Sequence, residues 1–329
     1  NDVDVSAISS LQFGLEWQHQ REIRARSYNN YNLMEWANRD YPVTYYGNLD
    51  TAEQVGEEGS RDVWGAYAQW LYQLGDATRL TAGLRYDDYQ SQDSRLSPRV
   101  GLVHQLTAHH SVKFIYSEAF RAPTFAELAV LNNPVVVGNP DLTSEVIKAS
   151  EILWVGTWND LTLEASIFYN RYEDPINVGF IGNSRTYVNG SEQEDYGYGG
   201  KVNWQLSEHW IVSGHITALQ DLPDSYFREA EELGALMVNY QVGNWNWNTS
   251  AVYQGQREYQ STTTQRESLA AYWYGNSQLL YRFDNSTSVA LAVKNLLDKR
   301  YATPAQGVGL SGGVPNRGRE ASLIWQWEW

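Results

Sequence analysis

The chain has 329 residues, no cysteine, and 24 basic against 39 acidic side chains, for a formal charge of −15. That balance argues against a nucleic-acid partner, and the missing thiols exclude disulfides and thiolate metal sites. Mean hydropathy is −0.52 and no apolar run approaches 18 residues, so this is not a helical membrane protein.

Alternating apolar and polar residues predict about fourteen strands. They lie at 8–20, 61–74, 77–90, 97–107, 110–120, 145–157, 160–172, 186–206, 209–220, 230–242, 245–257, 267–283, 286–296 and 318–329. Alternation is blurred at 61–74 and 145–157. Tight turns fall at 75–78, 107–110, 157–160, 207–209, 242–244 and 284–286. Between them lie longer polar connections at 21–60, 90–96, 121–144, 173–185, 221–229, 258–266 and 297–317. Short turn and long loop alternate along the chain. A transmembrane β-barrel has this asymmetry, with short periplasmic turns and longer extracellular loops. An even strand number also leaves both chain ends on the periplasmic side. The expected fold is therefore an all-β transmembrane antiparallel barrel.

A strand sends successive side chains to opposite faces. Leu80, Ala82, Leu84 and Tyr86 thus share one face, and Thr81, Gly83, Arg85 and Asp87 the other. The last strand reads the same way. Its Ala321, Leu323, Trp325, Trp327 and Trp329 form an apolar stripe opposite Glu320, Ser322, Ile324, Gln326 and Glu328. Trp158, Trp204, Trp210, Tyr240, Trp245 and Trp247 stand beside the short turns, where an interfacial aromatic girdle would lie.

Several ordered motifs then carry a family resemblance. They are Ser117-Glu-Ala-Phe-Arg-Ala-Pro-Thr-Phe-Ala-Glu-Leu128, Gly138-Asn-Pro-Asp-Leu142 with Glu145, and Phe168-Tyr-Asn170 with Asp174-Pro-Ile176. Tyr187-Val-Asn189, Val293-Lys-Asn-Leu-Leu-Asp-Lys-Arg-Tyr301 and Gly318-Arg-Glu320 follow. In these the chain resembles TonB-dependent outer-membrane receptors over essentially its whole length. The core motif residues are Phe120, Arg121, Ala122, Pro123, Asn139, Pro140, Asp141 and Leu142. The resemblance implies residence in the Gram-negative outer membrane, facing lipid and lipopolysaccharide. It implies uptake of a scarce nutrient, a ferric siderophore by default, energised through TonB. It also makes the terminal stripe, Leu323, Trp325, Trp327 and Trp329, the signal read by the outer-membrane assembly machinery. Such receptors have 22 strands and a plugged lumen. No plug domain and no TonB-contacting segment is recognised within residues 1–329, so the chain is expected to be the C-terminal portion of a receptor barrel.

No catalytic constellation, nucleotide fingerprint or cofactor motif is present, so the chain is not expected to be an enzyme. His109 and His110 form a pair with no evident third ligand, and no metal site is expected. The acidic stretch Asp50, Glu53, Glu57, Glu58 and Asp62 lacks EF-hand spacing and reads as a solvated charge run. The loop at 21–60 is the ligand candidate, through Arg24, Arg26, Trp36, Tyr45 and Tyr46. Arginine forks and flat aromatic rings suit an anionic chelate or a sugar. Arg85, Arg99 and Lys113 are expected to face the lumen. Two other readings stay open: a plugless passive pore, and a soluble all-β ligand-binding module.

Overall fold

The computed structural model describes residues 2–23, 25–32, 35, 42–47, 51–90, 92–133, 136–220, 222, 226–261, 265–284, 286–305 and 312–327. In chain order the strands begin with β1 (Asp2–Ser6), β2 (Ser9–Glu22), β3 (Arg26–Asn29), β4 (Thr51–Gln54), β5 (Gly59–Leu74), β6 (Thr78–Tyr89), β7 (Ser94–Gln105) and β8 (His110–Arg121). The short helix α1 (Phe125–Ala129) follows. Next come β9 (Glu145–Thr157), β10 (Leu161–Glu173), β11 (Ile176–Ile181), β12 (Ser184–Asn189), β13 (Gln193–Gln205), β14 (Trp210–Gln220), β15 (Glu232–Val242) and β16 (Trp245–Gln254). The last are β17 (Arg257–Gln260), β18 (Arg266–Leu269), β19 (Tyr272–Arg282), β20 (Thr287–Lys294), β21 (Ala302–Thr303), β22 (Val314–Pro315) and β23 (Glu320–Trp327).

Fifteen strands form one sheet in the order β1-β2-β5-β6-β7-β8-β9-β10-β13-β14-β15-β16-β19-β20-β23. The other strands pair as hairpins inside the long connections: β3–β4, β11–β12, β17–β18 and β21–β22. Contacts group the chain into two units. The first is Asn1–Leu102, Ile115–Ser150 and Asn170–Gln193; the second is Val103–Phe114, Glu151–Tyr169 and Glu194–Trp329.

In each unit the register keeps one face apolar across neighbouring strands. In the first, Leu15 lies opposite Ala66, and Ala66 opposite Tyr86; Phe13, Ala68 and Leu84 form the next row. In the second, an unbroken row runs Trp210–Tyr240–Trp247–Leu279–Leu291–Leu323. A slip of one residue anywhere would break it, because every side chain beyond the slip would change face. This face stays uncovered: Leu15 is 87% exposed, Leu323 76% and Trp325 75%. A water-soluble monomer rarely exposes so continuous an apolar surface, whereas a lipid-facing sheet needs one. Of the few buried apolar residues, Val43, Ala122, Leu142, Ala230, Tyr259 and Ala305 lie in the long connections, and Val63, Ala218, Tyr272 and Ala290 on strands of the main sheet.

The short turns share a local device. Gln73, Gln105 and Gln205 each donate a side-chain hydrogen bond to the carbonyl two residues on, at Gly75, Thr107 and Ser207. In the second and third turns, the Thr107 and Ser207 hydroxyls accept from the amides of His109 and His209. Gly75 and Gly243 supply positive φ (71° and 54°) where the chain reverses most sharply. Asp284 accepts from the amides of Ser286 (2.8 Å) and Thr287 (2.7 Å), which holds its carboxyl below the usual range.

Five of the expected tight turns, at 75–78, 107–110, 157–160, 207–209 and 242–244, are present; in the sixth, residue 285 lies outside the described residues. Four expectations are corrected. Among the described residues the main sheet has fifteen strands, one more than the fourteen or so expected, because the five-residue β1 pairs with β2 through a turn at Ala7 and Ile8. The segment 186–206 is two strands, since β12 ends at Asn189 within its own hairpin and β13 starts at Gln193; likewise 267–283 divides into β18 and β19. The connection between β6 and β7 is only residues 90–93, so long and short connections do not alternate strictly. The 121–144 connection also contains α1.

Candidate functional site

Three long connections of the first unit interlock, and the motif residues make the joints. β8 ends on Arg121, and Pro123 then forces the chain off the sheet. Arg121 Nη1 and Nη2 grip the Glu127 carboxylate at 2.8 and 3.1 Å, while Nε reaches Glu145 at 2.6 Å. The other Glu145 oxygen accepts from the Ile176 amide at 2.9 Å, so one arginine ties α1, β9 and the β11–β12 hairpin together. Thr124 and Glu127 form a reciprocal capping box that starts α1. Burial pushes the Glu127 carboxyl up. Its bonds from Arg121 and Thr124 outweigh that and hold it below the usual carboxylate range.

The second motif closes the same frame. The Asn139 side chain donates to the Tyr187 carbonyl (2.8 Å) and accepts from the Asp141 amide (3.0 Å), making the turn that exposes Pro140 and Asp141. Leu142 and Ala122 are buried. A Cβ on Gly138 would lie 2.6 Å from the backbone nitrogens of Ala129 and Val130, so this approach to the end of α1 requires glycine. Asn189 bonds both Thr143 backbone groups, the amide at 2.9 Å and the carbonyl at 3.0 Å, and also the Asp174 carbonyl at 2.8 Å. Phe120 meets the Tyr89 ring edge-on at 5.8 Å.

Sequence reasoning missed Arg61. Its Nε donates to Gln20 (2.7 Å) and its Nη1 to the carbonyl of the fully buried Pro123 (2.8 Å); the guanidinium lies over both Tyr89 and Phe125. Nothing local marks it, since its partners are distant in sequence.

The ligand-candidate loop shares this frame through the Leu131 amide, which donates to the Val55 carbonyl at 3.0 Å. Arg26 is exposed on β3, and Tyr45 (72%) and Tyr46 (40%) present open rings, with Tyr45 6.3 Å from the Tyr31 ring. Arg24 and Trp36 lie outside the described residues, as does Trp329 of the terminal stripe. Leu323, Trp325 and Trp327 occupy β23, opposite Leu291, Val289 and Thr287.

On the polar face of the same unit, Arg85 and Arg99 line a cavity of about 710 Å³ with Gln12, Tyr67, Gln69 and Asp87. Arg85 is held by Asp87 (2.6–3.0 Å) and Glu16 (3.1 Å). Lys113 is half-buried on β8 in the other unit, outside this group.

In the second unit the C-terminal motifs also converge. Asn295, at φ 50°, closes a loop through Lys299, and the Asp298 carboxylate accepts from the Arg319 amide at 2.8 Å. Tyr301 stacks on Tyr272 at 4.2 Å, and burial pushes its phenol up. His109 and His110 stack on Trp158 and Trp154, and His109 bonds the Thr157 carbonyl, as part of the aromatic cluster beside the short turns. Among the described residues no group of three or more His, Cys, Asp or Glu is placed to hold a metal ion.

The model of the TonB-dependent receptor-like β-barrel family matches residues 2–296. The chain belongs to this family. It is thus an outer-membrane β-barrel protein of Gram-negative bacteria. The vitamin B12 transporter BtuB of Vibrio vulnificus is 24% identical over 274 residues, covering 81% of this chain and 42% of that protein. The iron-regulated outer membrane virulence protein of Vibrio cholerae is 25% identical over 269 residues, 73% of this chain and 41% of that one. Among solved structures, a variant of the ferric enterobactin receptor PfeA of Pseudomonas aeruginosa, in complex with enterobactin, superposes with TM-score 0.79 at 19% identity. That match covers 97% of this chain and 51% of PfeA, and it shows the fold. The chain spans about half or less of the length of these proteins. BtuB is a transporter and PfeA a receptor, and neither is an enzyme.

Proposed function

We propose that these strands and loops are the ligand-receiving barrel portion of a receptor that takes up a ferric siderophore, energised through TonB. The observation that carries this reading is the interlocked frame. Arg121, Glu145, Asn139 and Asn189 hold three long connections in one arrangement. On that frame Arg26, Tyr45 and Tyr46 stand open to solvent. A fixed frame lowers the ordering cost of binding, and exposed arginine and tyrosine suit an anionic aromatic chelate. The same reading seats the apolar face against lipid and lipopolysaccharide, and makes β23 the segment that the assembly machinery takes up. A cobalamin is the second candidate ligand, favoured by the likeness to vitamin B12 transporters.

The test is uptake by a receptor-deficient strain that produces the receptor containing these residues. Radiolabelled ferric siderophores and vitamin B12 are supplied, with and without TonB. The expected result is siderophore uptake that disappears without TonB and falls on combining Arg26→Ala, Tyr45→Ala and Tyr46→Ala. Uptake of B12 alone would select the second ligand. TonB-independent passage of both would overturn the reading in favour of a passive pore.

A further inference from the structure

We infer that Arg61 is a positioning residue for ligand capture: it clamps the neck of the 23–58 connection and sets the pose of Arg26, Tyr45 and Tyr46. This rests on the reading of that connection as the ligand-receiving one. β2 and β5 pair up to their last rungs. Gln20 lies directly opposite Arg61, with only Arg21–Ser60 and Glu22–Gly59 between that pair and the connection. Arg61 Nε closes the rung by donating to Gln20 Oε1 at 2.7 Å. Its Nη1 donates to the Pro123 carbonyl at 2.8 Å. The guanidinium carbon lies 4.9 Å from the Phe125 ring centre and 5.1 Å from that of Tyr89. A flat cation with several N–H directions suits this place, since it can rest on rings and still reach two acceptors. One half-buried side chain thus joins the neck of the connection to the residues that start α1.

α1 carries that hold onward. A Cβ on Gly59 would lie 2.9 Å from two Phe125 ring atoms, so the ring sits directly against the backbone where β5 begins. Beyond the other end of α1, Val130 bridges Gly56, and the Leu131 amide donates to the Val55 carbonyl at 3.0 Å. The Val55 amide donates in turn to the Ala25 carbonyl at 3.0 Å, and β4 pairs with β3 from Gln54 opposite Arg26. The Tyr46 amide then donates to the Asn30 carbonyl at 2.7 Å, just past β3. Arg26, Tyr45 and Tyr46 therefore follow α1, and α1 follows Arg61 and Gly59. Arg121 holds the same helix through Glu127, but from the side of β8 and β9 and not at the neck. A clamp of this kind lowers the ordering cost of binding, so it acts on affinity and leaves later steps of uptake alone.

The receptor containing these residues is produced with Arg61→Met, Arg61→Lys or Gly59→Ala. Hydrogen exchange is measured without ligand, and uptake of ferric enterobactin and of vitamin B12 over a range of concentrations. Arg61→Met, which keeps a stem but no fork or charge, should speed exchange of the Tyr46 and Val55 amides about fivefold or more and leave β15 and β16 unchanged. The half-saturating concentration of the probe taken up should rise about five- to tenfold, with the maximal rate within about twofold. Arg61→Lys should lie between. Gly59→Ala displaces Phe125 and keeps Arg61; it should reproduce both effects, and serves if heat-modifiable migration shows Arg61→Met unfolded. Arg79→Gln, at the opposite end of β6 from Tyr89, is the control and should change nothing. Unchanged exchange at Tyr46 and Val55 would overturn the clamp whatever the uptake. Faster exchange with an unchanged half-saturating concentration, or with only the maximal rate reduced, would overturn the positioning role. An unaltered receptor that takes up neither probe would overturn the ligand reading, with the exchange result still deciding the clamp.

Discussion

Removing the Arg121 guanidinium should loosen the loop frame without unfolding the sheet. In Arg121→Ala, three charge-assisted bonds of 2.6, 2.8 and 3.1 Å to two carboxylates are lost. Hydrogen bonds to charged groups contribute about 1.5–3 kcal/mol when sheltered, and exposed ion pairs about 0.2–1 kcal/mol. The Arg121 side chain is 42% exposed, against 15% for Glu127 and 29% for Glu145, so water screens part of the interaction. Neither carboxylate is orphaned, since Glu127 keeps its bonds from Thr124 and Glu145 keeps the Ile176 amide. The expected local cost is therefore about 1–2 kcal/mol, a factor of roughly 5–30 in the opening equilibrium. Hydrogen exchange by mass spectrometry, on the chain folded in detergent, reads this directly. The amides of Leu128, Gly138 and Asn139, bonded to Thr124, Val130 and Glu127, should exchange faster by that factor. A peptide from β6 should be unchanged. Glu127→Gln keeps an acceptor for Thr124 and, combined with Arg121→Ala, gives the coupling energy. Unchanged exchange across 122–144, or equal acceleration in β6, would refute the assignment of these motif residues as a clamp.

Acid should open the same frame. The folded-state value of Glu127 is depressed, so its contribution is complete above the ordinary carboxylate value of about 4.3 and is lost as pH falls through the lower folded value. Proteolysis within 122–144 should be flat from neutral pH down to about 5 and rise below about 4; loosening on going from pH 5 to pH 8 would contradict the sign. The two faces of β23 should respond unequally to charge. Leu323→Lys, mid-strand on the apolar face, should lower stability in lipid vesicles by about 2–4 kcal/mol, and Ile324→Lys on the other face by less than about 1 kcal/mol. Denaturant unfolding measures both, and equal losses would count against a lipid-facing stripe.

The turns were legible because each carries its own chemistry: Gly75 followed by Asp76, Gly243 by Asn244, Asp284 by Asn285. The faces were legible because alternation is local. β1 went unread because five residues cannot establish a period, and its partner β2 decides its pairing. The loop hairpins and α1 had usable signals in Gly182-Asn183 and in Thr124-Phe-Ala-Glu127, but long polar connections masked them. The motif residues stood out, yet what they do did not. Arg121 and Glu145 are 24 positions apart, and Asn189 and Thr143 are 46 apart. Arg61 reaches Pro123 across 62 positions, with no pattern that pairs them. The pairing of Arg85 likewise depends on Asp87 and Glu16 meeting across three strands.

One face of this sheet meets lipid and the other water. The chain has no native cysteine, so each introduced thiol is unique. Single cysteines at Leu80, Thr81, Ala82, Gly83, Leu84, Arg85 and Tyr86, spin-labelled in lipid vesicles, report whether oxygen from the bilayer or a water-soluble nickel chelate relaxes each label. Oxygen should dominate at Leu80, Ala82, Leu84 and Tyr86, and the nickel chelate at Thr81, Gly83 and Arg85, with a period of two. Uniform access to the chelate along β6, or no alternation, would show that the two faces do not divide lipid from water.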